Sequence, residues 1–250
     1  MTVRQTPAIV LQIRDYGEAD RLVTFLTPDA GRVSGVAKHA KKSRRRFVNC
    51  LESLNRVIFH LSPRARGDLE FIQQGELVNP FSNLRRDLPR LAAGAVLAEL
   101  AGELSTPPET TGEIFRTMNL ALEFLDNGAE PGSLLPPFLL QLLKLGGYGP
   151  RWDACRVCGR EPGAPLYFSV SQGGVVCGPC SRASAGLLLP LNAGTWKLLR
   201  LAQEMPPEKL TRLRFPAPQR DQSLALLKRF LRHHLGRELR SWSFWEKFKA

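Results

Sequence analysis

Short apolar stretches separated by polar, turn-forming segments recur along the first eighty residues in the manner of β-strands. The stretches richest in β-branched, aromatic and other apolar residues lie at 8–13, 22–27, 32–37, 54–61 and 69–77. Turn-forming residues separate these stretches, including a Pro-Asp-Ala-Gly segment that ends at Gly31. Five strands in a segment of this length suit a small closed barrel, and an OB-like barrel is the leading interpretation.

Beyond residue 80 the apolar residues recur at the spacing of an α-helix. One such segment contains Leu84, Leu88, Leu91 and Ala95, and the next contains Ile114, Met118, Leu122 and Leu125. A third covers 131–147, and a tail segment contains Leu224, Leu227, Leu231 and Leu235. The pattern predicts an α+β multi-domain protein. Its predicted parts are a barrel at 1–80, a helical domain at 81–150 and 186–250, and a cysteine-rich insertion at 151–185.

Two Cys-x-x-Cys pairs lie in the predicted insertion, and eighteen residues separate them. The four cysteines are Cys155, Cys158, Cys177 and Cys180. Two such knuckles supply the four sulfur ligands of a tetrahedral structural zinc site, with a strand–turn–strand hairpin around Gly173 and Gly174 between them. We expect one structural zinc ion per chain. A catalytic zinc site is disfavoured because cysteine fills all four positions, and two disulfides remain the alternative for metal-stripped protein.

The composition indicates the cellular compartment in which we expect the protein. No stretch reaches the ~18–20 uninterrupted apolar residues of a membrane span, and the N-terminus lacks the apolar core of a signal peptide. We therefore expect a cytoplasmic, nucleoid-associated protein without a membrane partner. The fifth cysteine, Cys50, has no neighbouring catalytic group and is predicted to be a small buried side chain.

The charge points to a polyanionic partner. The net charge is +12, and a dense basic run follows the third predicted strand, where phosphate groups would offset the repulsion between its cations. The predicted DNA contacts are Arg32, Lys38, Lys41, Lys42, Arg44, Arg45 and Arg46. The alternative is that the basic run is a solvated surface loop without a binding function. Phe47 ends the run and is predicted to be a core residue, although it could stack on a base.

No motif nominates an enzyme. The chain has no P-loop, no G-x-S-x-G and no H-E-x-x-H sequence. Asp15, Glu18 and Asp20 could in principle bind magnesium, but on a predicted turn they are interpreted as turn and salt-bridge residues.

The residues described above resemble the RecO family of bacterial recombination mediators in three regions. The opening resembles the N-terminal barrel of that family at Tyr16, Gly17, Glu18, Asp20, Gly31, Gly35 and Lys38. The four cysteines with Gly159, Phe168, Gly173 and Gly174 resemble its zinc-bearing insertion, and Gly236, Arg237, Glu238 and Leu239 resemble part of its final helices. Together these regions span nearly the whole chain.

The resemblance implies an OB-fold, a helical domain and a zinc module. It also implies binding of single- and double-stranded DNA, annealing of complementary strands, and action with RecR. Such proteins help to load RecA onto DNA coated with single-stranded-DNA-binding protein (SSB) during repair of gaps and double-strand breaks in the RecF pathway. One alternative is a zinc-containing protein-interaction adaptor that binds nucleic acid only weakly. A metal-dependent nuclease is a weaker one.

Overall fold

The computed structural model describes residues 3–62, 69–105, 108–184 and 186–248. The chain divides into two compact units, Met1–Gly128 and Ala129–Ala250. The predicted three-part division of the chain stays a prediction.

Five strands of the first unit close into a barrel. They are β1 (Arg4–Tyr16), β2 (Asp20–Thr27), β3 (Gly31–Ala37), β4 (Arg56–Ser62) and β5 (Glu70–Asn79). The order around the barrel is β1-β2-β3-β5-β4, and β4 pairs back to β1. Only β3 and β5 run parallel among these pairs. This architecture confirms the predicted OB-like barrel.

Alternate residues of the strands fill the barrel core. Val23 and Phe25 of β2 are fully buried, as are Phe59 of β4 and Ile72 of β5. Burial of each large apolar side chain stabilises the fold by about 1.5–3 kcal/mol. Strand β1 is longer than the predicted stretch 8–13, because its polar ends pair with neighbouring strands without adding a hydrophobic signal.

The segment between β3 and β4 packs into this same core. Ala40, Phe47, Cys50 and Leu51 belong to the barrel's cluster of buried residues, which confirms the predicted core positions of Phe47 and Cys50. Strand β5 accommodates the segment at Gly75, where a Cβ atom would lie 2.6 Å from the sulfur of Cys50. The segment is therefore part of the folded barrel along much of its length.

Three α-helices complete the described part of the first unit: α1 (Ser82–Arg85), α2 (Leu88–Leu104) and α3 (Thr111–Asp126). The side chain of Asp87 accepts a hydrogen bond from the backbone N–H of Arg90 and caps α2. The predicted first helix is therefore two helices, and its predicted apolar stripe is not the buried one, since Leu88 is 47% exposed. The predicted stripe of α3 is confirmed, because all four of its residues are buried.

The second unit contains four helices and a small sheet within its described residues. The helices are α4 (Pro131–Leu145), α5 (Ala193–Glu204), α6 (Ala217–Leu235) and α7 (Arg240–Phe248). The strands β6 (Leu166–Ser169), β7 (Gly174–Cys177) and β8 (Leu188–Leu191) form a sheet in the order β7-β6-β8. The predicted helices at 131–147 and in the tail are confirmed, as is the predicted hairpin of β6 and β7.

Helices α4 and α5 are joined by a buried polar contact. The side-chain amide of Gln141 donates to the carbonyl oxygens of Ala202, at 2.8 Å, and Met205, at 2.9 Å. These carbonyls belong to the end of α5, where the last turn of a helix lacks partners of its own. None of the described helices has the length and hydropathy that would allow it to cross a membrane.

Candidate metal centre and nucleic-acid interface

The four predicted zinc ligands converge in the second unit. The sulfur atoms of Cys155, Cys158, Cys177 and Cys180 all lie within 4.8 Å of one another, and those of Cys158 and Cys177 are 3.9 Å apart. Four sulfurs at the usual zinc–sulfur distance of about 2.3 Å are separated by about 3.8 Å in a tetrahedron. Among the described residues this is the only group that could hold a metal ion.

Backbone geometry shapes both knuckles. In the first, the N–H of Gly159 donates to the carbonyl of Cys155 at 2.9 Å, and Gly159 adopts a φ of +71° that suits glycine. In the second, Gly178 follows the end of β7, and a Cβ atom there would lie 2.7 Å from the ring of Pro165. Glycine is therefore required beside each knuckle, for conformation in one and for space in the other.

The thiols have unequal acidities. Burial opposes ionisation of Cys155, but backbone N–H groups of Cys158, Cys177 and Val157 outweigh it and lower the pKa of Cys155 to about 6. The pKa of Cys158 is lowered by the backbone N–H of Arg160.

The pKa of Cys177 is raised by burial. The pKa of Cys180 is raised to about 12, first by the neighbouring thiol of Cys177. Four sulfurs this close resist carrying four negative charges, and a divalent cation would offset that repulsion. The donor set, its spacing and its charge fit a soft divalent metal ion.

Arginines flank the knuckles, but they do not all face the sulfur atoms. The guanidinium of Arg160 helps to lower the pKa of Cys158, after the backbone N–H of the same residue. The guanidinium of Arg156 instead donates to the carbonyl of Gln172 at 3.1 Å. Of these two, Arg160 offsets charge on the sulfur cluster directly, and Arg156 braces the hairpin turn.

The basic run lies in the first unit and is anchored to the turn between β1 and β2. The backbone N–H of His39 donates to a carboxylate oxygen of Asp20 at 2.7 Å, and that of Lys41 donates to the carbonyl of Ala19 at 3.1 Å. The ammonium of Lys41 pairs with Asp15 at 3.1 Å. These contacts confirm the interpretation of Asp15 and Asp20 as turn and salt-bridge residues.

Arg46 holds the other end of the run in place. Its guanidinium donates to the carbonyl of Lys38 at 2.7 Å and lies over the ring of Phe47, 5.3 Å from the ring centroid. Its carbonyl accepts from the N–H of Gly75 at 2.9 Å. Arg46 therefore closes residues 38–46 into a loop, which we call the basic loop.

The predicted DNA-contact residues differ in whether their charged groups already pair with other residues of the protein. Lys42, Arg44 and Arg45 are exposed and form no ion pair or side-chain hydrogen bond with any residue that the structure describes. Arg32, in contrast, pairs with Glu103 at 3.1 Å. It lies six residues before Lys38, or about 20 Å along an extended strand. The structure brings residues 38–46 together and leaves Arg32 apart.

An aromatic residue beside the basic loop was missed by the sequence pattern. Tyr16 is 50% exposed at the end of β1. In the sequence, Tyr16 stands out only as one of the residues that resemble the family's N-terminal barrel. The alternation with the core-facing Ile13, which places Arg14 and Tyr16 on the outer face, would have singled it out.

Comparison with known proteins places the chain in a family. The model "Recombination protein O N terminal" matches residues 1–81, and "Recombination protein O C terminal" matches residues 85–243. The chain is 32% identical to the DNA repair protein RecO of Syntrophus aciditrophicus over 240 residues, which cover 95% of this chain and 93% of that protein.

Two further proteins named DNA repair protein RecO show the same breadth of similarity. That of Anaeromyxobacter dehalogenans strain 2CP-C is 37% identical over 92% of this chain and 91% of its own length. That of Myxococcus xanthus is 37% identical over 95% of this chain and 94% of its own length. With both family models matched in order and relatives aligned over nearly their full lengths, the chain belongs to the RecO family of recombination proteins.

Proposed function

We propose that this chain is a DNA-repair mediator that binds single- and double-stranded DNA through its barrel and basic loop. It anneals complementary strands and acts with RecR to load RecA onto SSB-coated single strands during repair of gaps and double-strand breaks in the RecF pathway. Family membership supports the repair role. The basic loop supports the mode of binding.

The observation that carries the proposal is the set of unpaired cations on an anchored loop. Lys42, Arg44 and Arg45 have no protein partner among the described residues, whereas the backbone around them is fixed by Asp20, Ala19 and Gly75. Cations held in place without partners bind phosphate at low entropic cost and release counterions from DNA. Lys38 joins these three as a phosphate contact. Lys41 and Arg46 contribute to the same positive field while engaged by the protein, and Arg32 is a separate proposed contact near the start of β3.

A salt-dependent DNA titration tests this assignment. The double substitution Arg44→Glu with Arg45→Glu should weaken both single- and double-stranded DNA binding at least tenfold at low salt. It should also reduce the slope of log affinity against log salt by about two, one for each lost phosphate contact. The matched control is Arg229→Glu with Arg232→Glu, which changes the net charge equally on exposed positions of α6. Unchanged affinity and slope in the loop variant would refute the assignment.

The four cysteines are proposed to hold one structural zinc ion per chain. Zinc would supply cross-linking of the two knuckles and neutralisation of their sulfur charge. The protein's own residues would then act on DNA without catalysis of bond cleavage. Annealing follows from charge neutralisation alone, because bound cations lower the repulsion between two phosphate backbones.

The partner proteins are proposed from family resemblance. We expect RecR and SSB to bind the purified chain at physiological salt, and a pull-down with each measures this. Binding of both proteins together with DNA affinity too weak to measure at that salt would favour the adaptor function instead.

A further inference from the structure

Trp152 lies just before the first cysteine knuckle and is almost fully buried. Its chain segment runs beside strand β7, which ends at Cys177 of the second knuckle. The backbone N–H of Arg151 donates to the carbonyl of Gly173 at 2.9 Å, and the N–H of Val175 donates to the carbonyl of Arg151 at 3.0 Å. The chain that leads into one knuckle is therefore hydrogen-bonded to the hairpin that leads into the other.

A close approach of the two backbones tightens this contact. Gly174 begins β7 and forms a parallel bridge with Arg151, and a Cβ atom at Gly174 would lie 2.7 Å from the carbonyl oxygen of Arg151. Inside the first knuckle, the backbone N–H of Arg156 donates to the carbonyl of Val175 at 2.9 Å. The segment that carries Trp152 is thus attached to β7 on both sides of that residue.

Helix α5 fixes the position of Trp152 through three hydrogen bonds. The indole N–H of Trp152 donates to the side-chain oxygen of Gln203 at 3.0 Å, and the side-chain amide of Gln203 donates to the carbonyl of Pro150 at 2.9 Å. The indole N–H of Trp196 donates to the carbonyl of Trp152 at 2.9 Å. Because a buried indole N–H needs a partner, these contacts favour one orientation of the ring.

The ring of Trp152 packs on strand β6. It stacks on the ring of Phe168, with the two centroids 5.2 Å apart and an angle of 29° between the planes. Phe168 pairs with Val175 of β7, and Leu166 of β6 pairs with Cys177. The ring of Trp152 therefore packs on the sheet that holds the second knuckle, while its backbone continues into the first.

Trp152 and a bound metal ion constrain the same two parts of the chain. The ion would join the knuckles through their sulfur atoms, and Trp152 joins them through its ring and its backbone segment. When one of two such constraints is in place, less conformational freedom is lost on forming the other. Thermodynamic linkage makes this coupling reciprocal.

We propose that Trp152 is a positioning residue of the four-cysteine site, which holds the first knuckle against the second so that the four sulfurs are preorganised for the metal ion. The ion in turn keeps Trp152 packed between α5 and β6. The inference rests on the proposed metal site and assigns a role in metal binding to a residue outside its four ligands.

A buried tryptophan also contributes ordinary core packing, and a second tryptophan separates the two roles. Trp245 is 3% exposed and Trp152 is 2% exposed, but Trp245 belongs to α7 and lines a cleft with Lys228 and Glu246. Loss of either large side chain should lower the stability of the second unit. Loss of Trp152 alone should weaken metal binding.

The test measures how readily the zinc-loaded protein gives up its ion to increasing concentrations of a chelator, with the fold of each variant checked by circular dichroism. Trp152→Leu should bind zinc about 10-fold more weakly, the lower limit for loss of a supporting residue around a metal site. Trp152→Phe keeps a ring against Phe168 and should recover most of that affinity. Trp245→Leu should lower the thermal midpoint and keep the parent's zinc affinity.

Tryptophan fluorescence tests the reciprocal effect of the ion on Trp152. In a protein with Trp242→Phe and Trp245→Phe, the remaining tryptophans are Trp152 and Trp196. Removal of zinc should shift the emission to longer wavelength, because Trp152 becomes more exposed to water. Adding Trp152→Phe should remove most of the shift. An emission spectrum that does not respond to zinc, or a shift of the same size without Trp152, would overturn the proposal.

The outcomes separate the positioning role from the metal site itself. If the parent holds one zinc ion and Trp152→Leu binds it as tightly, the positioning role is overturned and the metal site stands. Equal losses of zinc affinity in Trp152→Leu and Trp245→Leu would also overturn it, since general loss of packing would explain both. A parent protein that binds no zinc would overturn the site and the role together. If Trp152→Leu does not fold, the emission measurement decides.

Discussion

The cysteine cluster, formed by Cys155, Cys158, Cys177 and Cys180, and the basic loop each bring together groups that repel one another when charged. They differ in what balances that repulsion. The four sulfurs lie within 4.8 Å of one another, close enough for a single metal ion to be held by all four. Lys42, Arg44 and Arg45 point outward from a loop whose backbone is held by the barrel, and no described residue pairs with them. Neutralising the sulfur charge inside the protein stabilises the fold. Cations that have no protein partner on a fixed backbone instead give the loop affinity for an external anion.

The largest expected effect concerns the cysteine cluster. Cys155→Ser with Cys177→Ser should abolish zinc binding, because two of four ligands are lost, and should unfold the β6–β7 hairpin region. Structural zinc contributes on the order of 10 kcal/mol to small zinc-binding folds. Elemental analysis and the thermal midpoint of the second unit measure these losses.

The matched control uses the remaining cysteine. Burial raises the pKa of Cys50 to about 11, so its thiol is neutral and serves as core packing. Cys50→Ala should keep one zinc per chain and cost about 1–2 kcal/mol for the small cavity. Loss of zinc from this variant would contradict the assignment of the metal to the two knuckles.

A prediction of intermediate size distinguishes residues that hold the basic loop in place from residues that contact DNA. Arg46→Ala should lower the free energy of unfolding by about 1–2 kcal/mol, since it removes the hydrogen bond to Lys38 and the stacking on Phe47. DNA affinity should fall with it because the loop loosens. Arg44→Ala should lower DNA affinity without changing the thermal midpoint.

Arg46→Lys sharpens this comparison, because it keeps the charge and removes the planar guanidinium. It should lose stability as Arg46→Ala does. Full stability and full affinity in Arg46→Lys would show that Arg46 acts only as a cation.

The smallest expected effect compares adjacent lysines. Lys41 is paired with Asp15, and an exposed ion pair contributes about 0.2–1 kcal/mol. Lys41→Gln should therefore lower stability slightly and change the DNA salt slope by less than one. Lys42→Gln should leave stability unchanged and reduce the slope by about one. Chemical denaturation and salt titration of both variants measure the difference, and the reverse order would contradict the assignment.

The two regions also differ in how far sequence alone predicts them. The ligand set of the cysteine cluster is encoded in local spacing, Cys155 to Cys158 and Cys177 to Cys180, so the residues could be named before the fold was known. The basic loop was visible as a charge run. Which of its cations remain unpaired depends on Asp15, which only the fold brings beside Lys41.

The strands and helices also differ in how well the sequence predicts them. The five barrel strands and the helix α3 followed from hydrophobic period. The strand β8 escaped prediction because it is short and contains Pro190, which suits a sheet edge but gives no strand signal. The buried face of α2 was misassigned because apolar residues surround most of that helix, so spacing does not single out one face.

The most direct test is a DNA salt titration combined with zinc analysis on the parent, the Arg44→Glu/Arg45→Glu protein and the Cys155→Ser/Cys177→Ser protein. We expect the loop variant to keep one zinc per chain and to lose DNA affinity and salt slope. The cysteine variant should lose zinc and keep the parent's DNA titration at temperatures where its barrel is folded. A loop variant that binds DNA as tightly as the parent, with the same slope, would contradict it.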